Sequence, residues 1–498
     1  MAKSLRSSSR RRSTPRQPFL KRYQRLEDLP VVHRHPAGID LAGDAPHFTA
    51  IEIGDEEIEV RSFEGTTADV QAMVAYLLAQ QVTSVAMEAT GVYWMVIYDL
   101  LEAAGIEVFL VNPTHVKNVP GRRKDDKLDA RWLLKLHKYG LLSASFRPNP
   151  EDRPLQQLHR QRTRLIQLAA DEMRRMQKAL DIMNVRIHKA ITDLGGLTGM
   201  RIVRAIVAGN HDPASLAAFR DPHCACTPKE LQAALTGHYL PEQLLALKQA
   251  LARYDLLNEQ VADLDREIET VLRALLAAQP AVSTLPPPPT DTGNAPTATG
   301  ASALPPPAPP LSLECRLAAI PVEPNQGKHA PAFHVAGYLQ LLTGQNATIL
   351  PGIGPASALG VLAELGRDLS KWPTVKHFTS YLTLAPVQKI SGGKLLRSRT
   401  RPGVHPAAAI FKQAAASVSR TDTALGAFYR RLAVQVGSGK ALVATARKIA
   451  EQYYYLLRYG REYVEAGAKL YEERYRQQQI RVVTKKAHKL GLTVALVG

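Results

Sequence analysis

Asp125-Asp126-Lys127-Leu128-Asp129-Ala130 follows directly on a basic run, Gly121-Arg122-Arg123-Lys124. On a helix, Asp126 and Asp129 are three positions apart and project from one face. Two carboxylates so placed repel each other unless a cation stands between them. Taken alone, such a pair is an ordinary solvated helix surface. Upstream, however, two apolar runs each carry an acid at their end: Asp40 in Ala37-Gly38-Ile39-Asp40-Leu41, and Glu88 in Val85-Ala86-Met87-Glu88. These four acids are expected to converge on metal, against nucleic acid.

The elements around them have a definite order. Ala37–Leu41, Phe48–Ile53 and Ile58–Phe63 are β-rich runs separated by the turn signals Gly43-Asp44 and Gly54-Asp55. Val70, Met73, Val74 and Leu77 predict a helix over 67–80. Val82–Glu88 reads as a buried strand, Val92–Ala104 as a helix, and Ile106–Asn112 as a strand stopped by Pro113. A last helix opens near Lys124 and carries Leu128, Leu133, Leu134 and Leu136 to Gly140. Three strands followed by helix–strand–helix–strand–helix is the order of a ribonuclease-H-like mixed-sheet domain, over 35–145. Other α/β folds share this alternation; the acids at strand ends and on the late helix tip the choice.

Composition narrows the partner. In 498 residues, 45% hydrophobic, Lys plus Arg number 63 against 45 Asp plus Glu, a formal charge of +18. That length suggests two to four domains with real cores, and the charge favours a polyanion, DNA or RNA, over an acidic membrane surface. A merely soluble basic enzyme is the plainer alternative. The three cysteines, Cys224, Cys226 and Cys315, are too few for a disulfide framework and fit a reducing cytosol. No apolar run is long enough to span a membrane. Residues 1–34 begin with nine Lys or Arg before the first acid, Glu27, and read as a disordered basic tail that clamps phosphates.

Beyond the first domain, residues 151–278 read as a helical spacer. Its first half is rich in Arg, including Arg160, Arg162, Arg164, Arg174 and Arg175. Its second, over 241–277, carries Leu247, Ala250, Tyr254, Leu257, Val261, Leu264, Ile268 and Val271 at alternating three- and four-residue spacing. That is a coiled-coil seam, or equally an amphipathic helix packed in its own domain. His223-Cys224-Ala225-Cys226 has no second cysteine pair and is weak as a zinc motif. Residues 279–312 form a linker: 280–312 hold eleven prolines and one charged residue, Asp291.

A second globular region, 335–475, opens with Leu350-Pro351-Gly352-Ile353-Gly354, a helix–hairpin–helix-like turn whose glycines let backbone amides approach a phosphate. A plain helix N-terminus reads nearly as well. Ser391-Gly392-Gly393-Lys394 follows, with Arg397, Arg399 and Arg401 beyond it. Two glycines beside a hydroxyl leave the backbone open, and four cations await an anion; a basic hairpin turn that holds phosphate without chemistry is the alternative. Gly437-Ser438-Gly439-Lys440 is not a Walker A loop, since Val434 and Ala441 stand where that motif needs Gly and Ser or Thr. The aromatic stripe Tyr453–Tyr455 reads as core, and 476–498 as a basic tail.

Gly38-Ile39-Asp40, the run Met87 to Trp94, Asn112-Pro113 and Lys124 to Ala130 together resemble the RuvC-like domain of the DEDD transposases of bacterial insertion sequences, which are bridge-RNA-guided DNA recombinases. Leu350 to Gly354 and Ser391 to Lys394 resemble the C-terminal transposase domain of the same family. The resemblance covers about 35–140 and 335–460 plus the spacer. It implies Asp40, Glu88, Asp126 and Asp129 as metal-binding catalytic acids and Ser391 as nucleophile. The family's last acidic motif commonly reads Lys-Thr-Asp-x-x-Asp-Ala; Asp125 takes the Thr position here and adds a fifth carboxylate. Ile390 stands where the family often has a second serine.

From this follow the expected chemistry and partners. An all-oxygen acidic site selects a hard divalent cation, Mg²⁺ with Mn²⁺ as substitute. A metal-polarised phosphate attacked by Ser391 gives a phosphoserine that another strand's hydroxyl resolves. Lys394 and Arg397 offset charge at phosphorus, while Arg122, Arg123, Lys124 and Arg399 contact nucleic acid. The resemblance further implies donor and target DNA, a structured bridge RNA, and a homo-oligomer, dimeric or tetrameric in the synaptic complex, acting in the bacterial cytoplasm. Two rivals remain: a RuvC-type metal nuclease that resolves junctions with activated water, and a non-catalytic nucleic-acid-binding scaffold.

Overall fold

In a computed structural model the structure describes residues 29–43, 46–54, 57–113, 126–279, 312–322, 329–392, 394–400, 405–460 and 467–493. The side chains of Asp126 and Lys389 are outside that description, as are the expected tail over 1–28 and the proline-rich linker over 280–311. The chain divides into two compact units, 1–147 and 148–498.

The first unit is a five-stranded mixed sheet. β1 (Pro36–Asp40), β2 (His47–Ile53), β3 (Glu57–Phe63), β4 (Ser84–Glu88) and β5 (Glu107–Val111) stand in the order β3-β2-β1-β4-β5. β2 pairs antiparallel with β1 and β3, while β1, β4 and β5 run parallel. One face is covered by α1 (Thr67–Ala79) and α2 (Trp94–Ala103), whose Met73, Leu77, Ile97 and Leu101 pack on Ala37, Ile39, Val85 and Met87. On the other face lies α3 (Asp126–Lys138), with Ala130, Leu133, Leu134 and Leu136 against Ala50, Ala86 and Val111. Burying both faces of β1 and β4 is why those runs are continuously apolar in sequence rather than alternating. This is the ribonuclease-H-like arrangement expected from the order of elements.

The second unit is mainly helical. α4 (Arg153–Ile182), α5 (Leu197–Val207), α6 (Pro213–Ala217), α7 (Pro228–Leu235) and α8 (Pro241–Ala277) make up the spacer. α4 and α8 pack side by side and antiparallel: Arg162 Nε donates to Asp265 Oδ1 at 2.5 Å, and Arg253 pairs with Glu172 at 2.9 Å. Leu247, Ala250, Leu264 and Ile268 of the expected seam are buried, whereas Tyr254, Leu257, Val261 and Val271 are half-buried. A helix of the same chain therefore covers the apolar stripe of α8. The capping box at Thr227 and Glu230 starts α7, and Cys224 Sγ lies 3.3 Å from Cys226 Sγ.

The remainder comprises α9 (Leu313–Ala318), α10 (Val335–Thr343), α11 (Pro355–Leu365), α12 (Val375–Tyr381), the hairpin β6 (Pro386–Ser391) and β7 (Lys394–Thr400), then α13 (Pro406–Val418), α14 (Ala424–Val436), α15 (Ser438–Tyr459) and α16 (Ala468–Lys489). The spacer holds this part directly. Arg160 grips the buried Glu364 with two hydrogen bonds (2.8 and 2.7 Å), Arg367 Nε donates to the buried Asp152 at 2.7 Å, and Tyr338 Oη donates to Glu269 at 2.7 Å. The spacer and the C-terminal region thus belong to one compact unit, although the proline-rich segment lies between them in sequence. Tyr453 and Tyr454 are core, as expected. Residues 476–489 are helical, as the distal half of α16. Among the described residues no helix is long and apolar enough to cross a membrane.

Candidate active site

The placement of the acids in the first unit begins at Gly38. A Cβ there would stand 2.3 Å from the Ala130 carbonyl oxygen and 2.4 Å from the Leu134 nitrogen, so α3 lies directly on the β1 backbone. Side chains alternate along a strand, which puts Asp40, two residues on, at the same face as α3. In β4, Ala86 packs on Leu133 and Leu136, and Glu88 shares that face by the same alternation. β1 and β4 are parallel with Gly38 opposite Ala86 and Ile39 opposite Met87. One further step of that register sets Asp40 beside Glu88.

The direction of α3 completes the arrangement. Ser84 at the start of β4 is 2.9 Å from His137 Nε2 near the end of α3. The helix therefore runs against the strands, and its first turn stands over their C-terminal ends. Asp129 is one turn before Leu133, on the stripe that packs on β4 and β5. Glu88 and Asp129 are 6% and 7% exposed, and Asp40 is half-buried. Asp126 opens the helix, one turn before Ala130. Among the described residues no group of three His, Cys, Asp or Glu stands close enough to hold a metal; the Asp126 side chain is outside that set. Asp125 and the expected nucleic-acid contacts Arg122, Arg123 and Lys124 also lie outside the described residues.

At the other end of α3, His137 is fully buried, stacked on His33 with centroids 4.1 Å apart. Burial, reinforced by His33, pushes its pKa down to about 4. It is a neutral packing residue that ties the helix to β4 through Ser84.

Ser391 belongs to the second unit. It pairs with Lys394 in a hairpin, and Gly392 after it has φ +55°, the left-handed backbone that tight hairpins demand. Ser391, Lys394 and the apolar Ile390, Leu395 and Leu396 are all exposed. The expected cluster of cations around Ser391 is only partly assembled. Lys394 is cross-strand from it, but Arg397 and Arg399 are opposite Lys389 and Val387, farther down the hairpin. Arg401 is outside the described residues. Arg399 instead lines a cavity of about 480 Å³ at the hairpin base, with Ser398, Thr400, Lys440 and Arg447. No local sequence signature marks Lys440 or Arg447 as lining a cavity with Arg399.

The Leu350–Gly354 turn has a packing role. At Gly352, φ is +76°, and a Cβ would stand 2.5 Å from the Ala414 carbonyl oxygen of α13. That glycine serves close packing on α13, a role that neither sequence reading gave it.

Residues 37–185 match the model of the DEDD transposase domain of IS110, and residues 345–430 match that of the transposase IS116/IS110/IS902 family. No curated protein matches the chain. The two matches imply a DEDD transposase, an enzyme that cuts and recombines DNA. Together the two matches support an insertion-sequence transposase of the IS110 family.

Proposed function

We propose that this transposase exchanges DNA strands through a covalent link to Ser391, with Asp40, Glu88, Asp126 and Asp129 as the metal-holding acids. Ser391 Oγ attacks a backbone phosphorus and gives up its proton. The O–P bond forms as the bond to the leaving strand's oxygen breaks, and that oxygen takes a proton. A hydroxyl of a second strand then attacks the phosphoserine and restores the serine. Lys394, cross-strand from Ser391, offsets the charge on phosphorus.

The observation that carries this reading is the position of Ser391, exposed at the turn of a glycine hairpin and paired with a lysine. A serine with only a structural role needs neither. The acid set fits a hard divalent cation in donor type: carboxylate oxygens alone, two of them nearly buried, at one end of one sheet. Bound there, Mg²⁺ or Mn²⁺ would polarise the phosphate. The acids and Ser391 lie in different units, so assembling the site requires the units to meet, within one chain or between copies in a dimer or tetramer. A bridge RNA that chooses donor and target by base pairing suits a chain of +18 charge.

The test is incubation with donor DNA and Mg²⁺, followed by denaturing gels for a covalent protein–DNA adduct. We expect an adduct that Ser391→Ala abolishes along with strand exchange. Full strand exchange by Ser391→Ala would instead leave activated water as the nucleophile.

A further inference from the structure

α16 packs on α14 through its first two turns and then continues as an exposed helix. At the junction lies a cavity of about 470 Å³, lined by Arg431 of α14 and by Tyr471, Arg474, Tyr475, Gln478 and Gln479 of α16. That is within the range of roughly 300–1,000 Å³ typical of small-molecule sites. Arg431 is set among aromatic rings. Its guanidinium carbon is 3.7 Å from the Tyr475 centroid and 5.5 Å from that of Tyr471, and Nη2 donates to Tyr471 Oη at 2.5 Å. Its Nε is buried with no hydrogen-bond partner among the described residues.

Beyond the cavity the chemistry is continuous. Arg474, Gln478, Arg481, Lys485 and Lys489 follow at spacings of four, three, four and four. At about 100° and 1.5 Å per residue they form one stripe roughly 22 Å long, with steps of about 4.5–6 Å. Glu472 and Glu473 lie off that stripe, and no acid follows them to the end of the sequence. Like charges in line on an exposed helix repel one another, so the arrangement suits a linear polyanion.

We propose that the α14–α16 cavity and this stripe bind a single-stranded segment of nucleic acid. One base enters the cavity to stack on Tyr475, which Arg431 holds from its other side. Gln478 and Gln479 meet the base edge, and successive phosphates follow Arg474, Arg481, Lys485 and Lys489. A duplex has no free base to offer the aromatic pocket, whereas unpaired bases stack on such rings regardless of sequence. The site is independent of the Ser391 chemistry, and Ser391→Ala leaves it intact.

The test is fluorescence anisotropy of the full-length chain with labelled ten-nucleotide dT and U oligomers and with a duplex, across a salt series. The two oligomers separate DNA from RNA as the source, and binding of either supports the site. Tyr475→Ala should weaken single-strand binding by about 5–150-fold, while Tyr475→Phe, which keeps the ring, should retain it. Arg481→Ala/Lys485→Ala, in the exposed half of α16, should reduce the magnitude of the log–log salt slope by about 1.4 without loss of helix by circular dichroism. Failure to bind either oligomer, wild-type affinity in both altered proteins, or equal losses for duplex and single strand would overturn the proposal.

Discussion

The Cα of Gly38 lies so close beneath Ala130 that an added Cβ would come within 2.3 Å of the Ala130 carbonyl oxygen. That contact sets the height of α3 over β1, and with it the position of Asp129 above the strand ends that carry Asp40 and Glu88. Both contacting atoms are backbone, so no rotamer change can relieve a side chain at position 38. Gly38→Ala is expected to cost at least about 1–3 kcal/mol and to depress DNA cleavage beyond what the loss of folded protein explains. Urea unfolding and activity per folded molecule measure the two effects.

If the acids hold a divalent cation, Asp129→Asn should abolish Mg²⁺-dependent cleavage while leaving DNA binding intact. Asp125→Asn should retain most activity, because the acidic motif that the chain resembles commonly carries threonine at that position. Cleavage assays with Mg²⁺ and with Mn²⁺, beside binding in chelator, separate these outcomes. Equal loss at Asp125 and Asp126 would mean that a different pair of carboxylates is used.

Arg162 and Asp265 are 5% and 6% exposed, and Arg162 also donates to the His329 carbonyl oxygen at 2.8 Å. Arg162→Ala strands a buried carboxylate and should cost about 3–5 kcal/mol. The double substitution Arg162→Leu/Asp265→Leu should be less damaging than the single one. Thermal unfolding of the wild type, Arg162→Leu, Asp265→Leu and the double substitution in a mutant cycle measures the coupling.

Acid should loosen both units. Burial lowers the pKa of His137 to about 4, and that of His159 likewise to about 4, against about 6.5 in the unfolded chain. Between those values the folded protein binds fewer protons than the unfolded one. These groups therefore cost nothing above pH 6.5, and stability falls as pH drops toward 4. His137→Phe should flatten the pH dependence of first-unit unfolding in this window, measured by thermal melts at steps of half a pH unit.

Much of this was legible in the sequence. Every strand of the first unit follows from an apolar or alternating run. α3 follows from Leu133, Leu134 and Leu136 together with the stop at Gly140. The acids were legible as residues at the ends of those runs. The hairpin around Ser391 was less so, because β6 and β7 are exposed and β7 carries Lys394, Leu395, Leu396 and Arg397 without alternation. A strand that buries neither face leaves no period to read.

The sequence by itself determined the fold class of the first unit, the candidate acids and serine, and the transposase family. Burial, chirality and turn chemistry act locally enough to be read from spacing. Only the tertiary structure decided which surface covers the stripe on α8, that the spacer and C-terminal region share one unit, and that Arg399 lines a cavity with Lys440. Each of these joins segments distant in the chain. A hydrophobic period says that a face must be covered, and a charge that it must be paired, but neither names the partner.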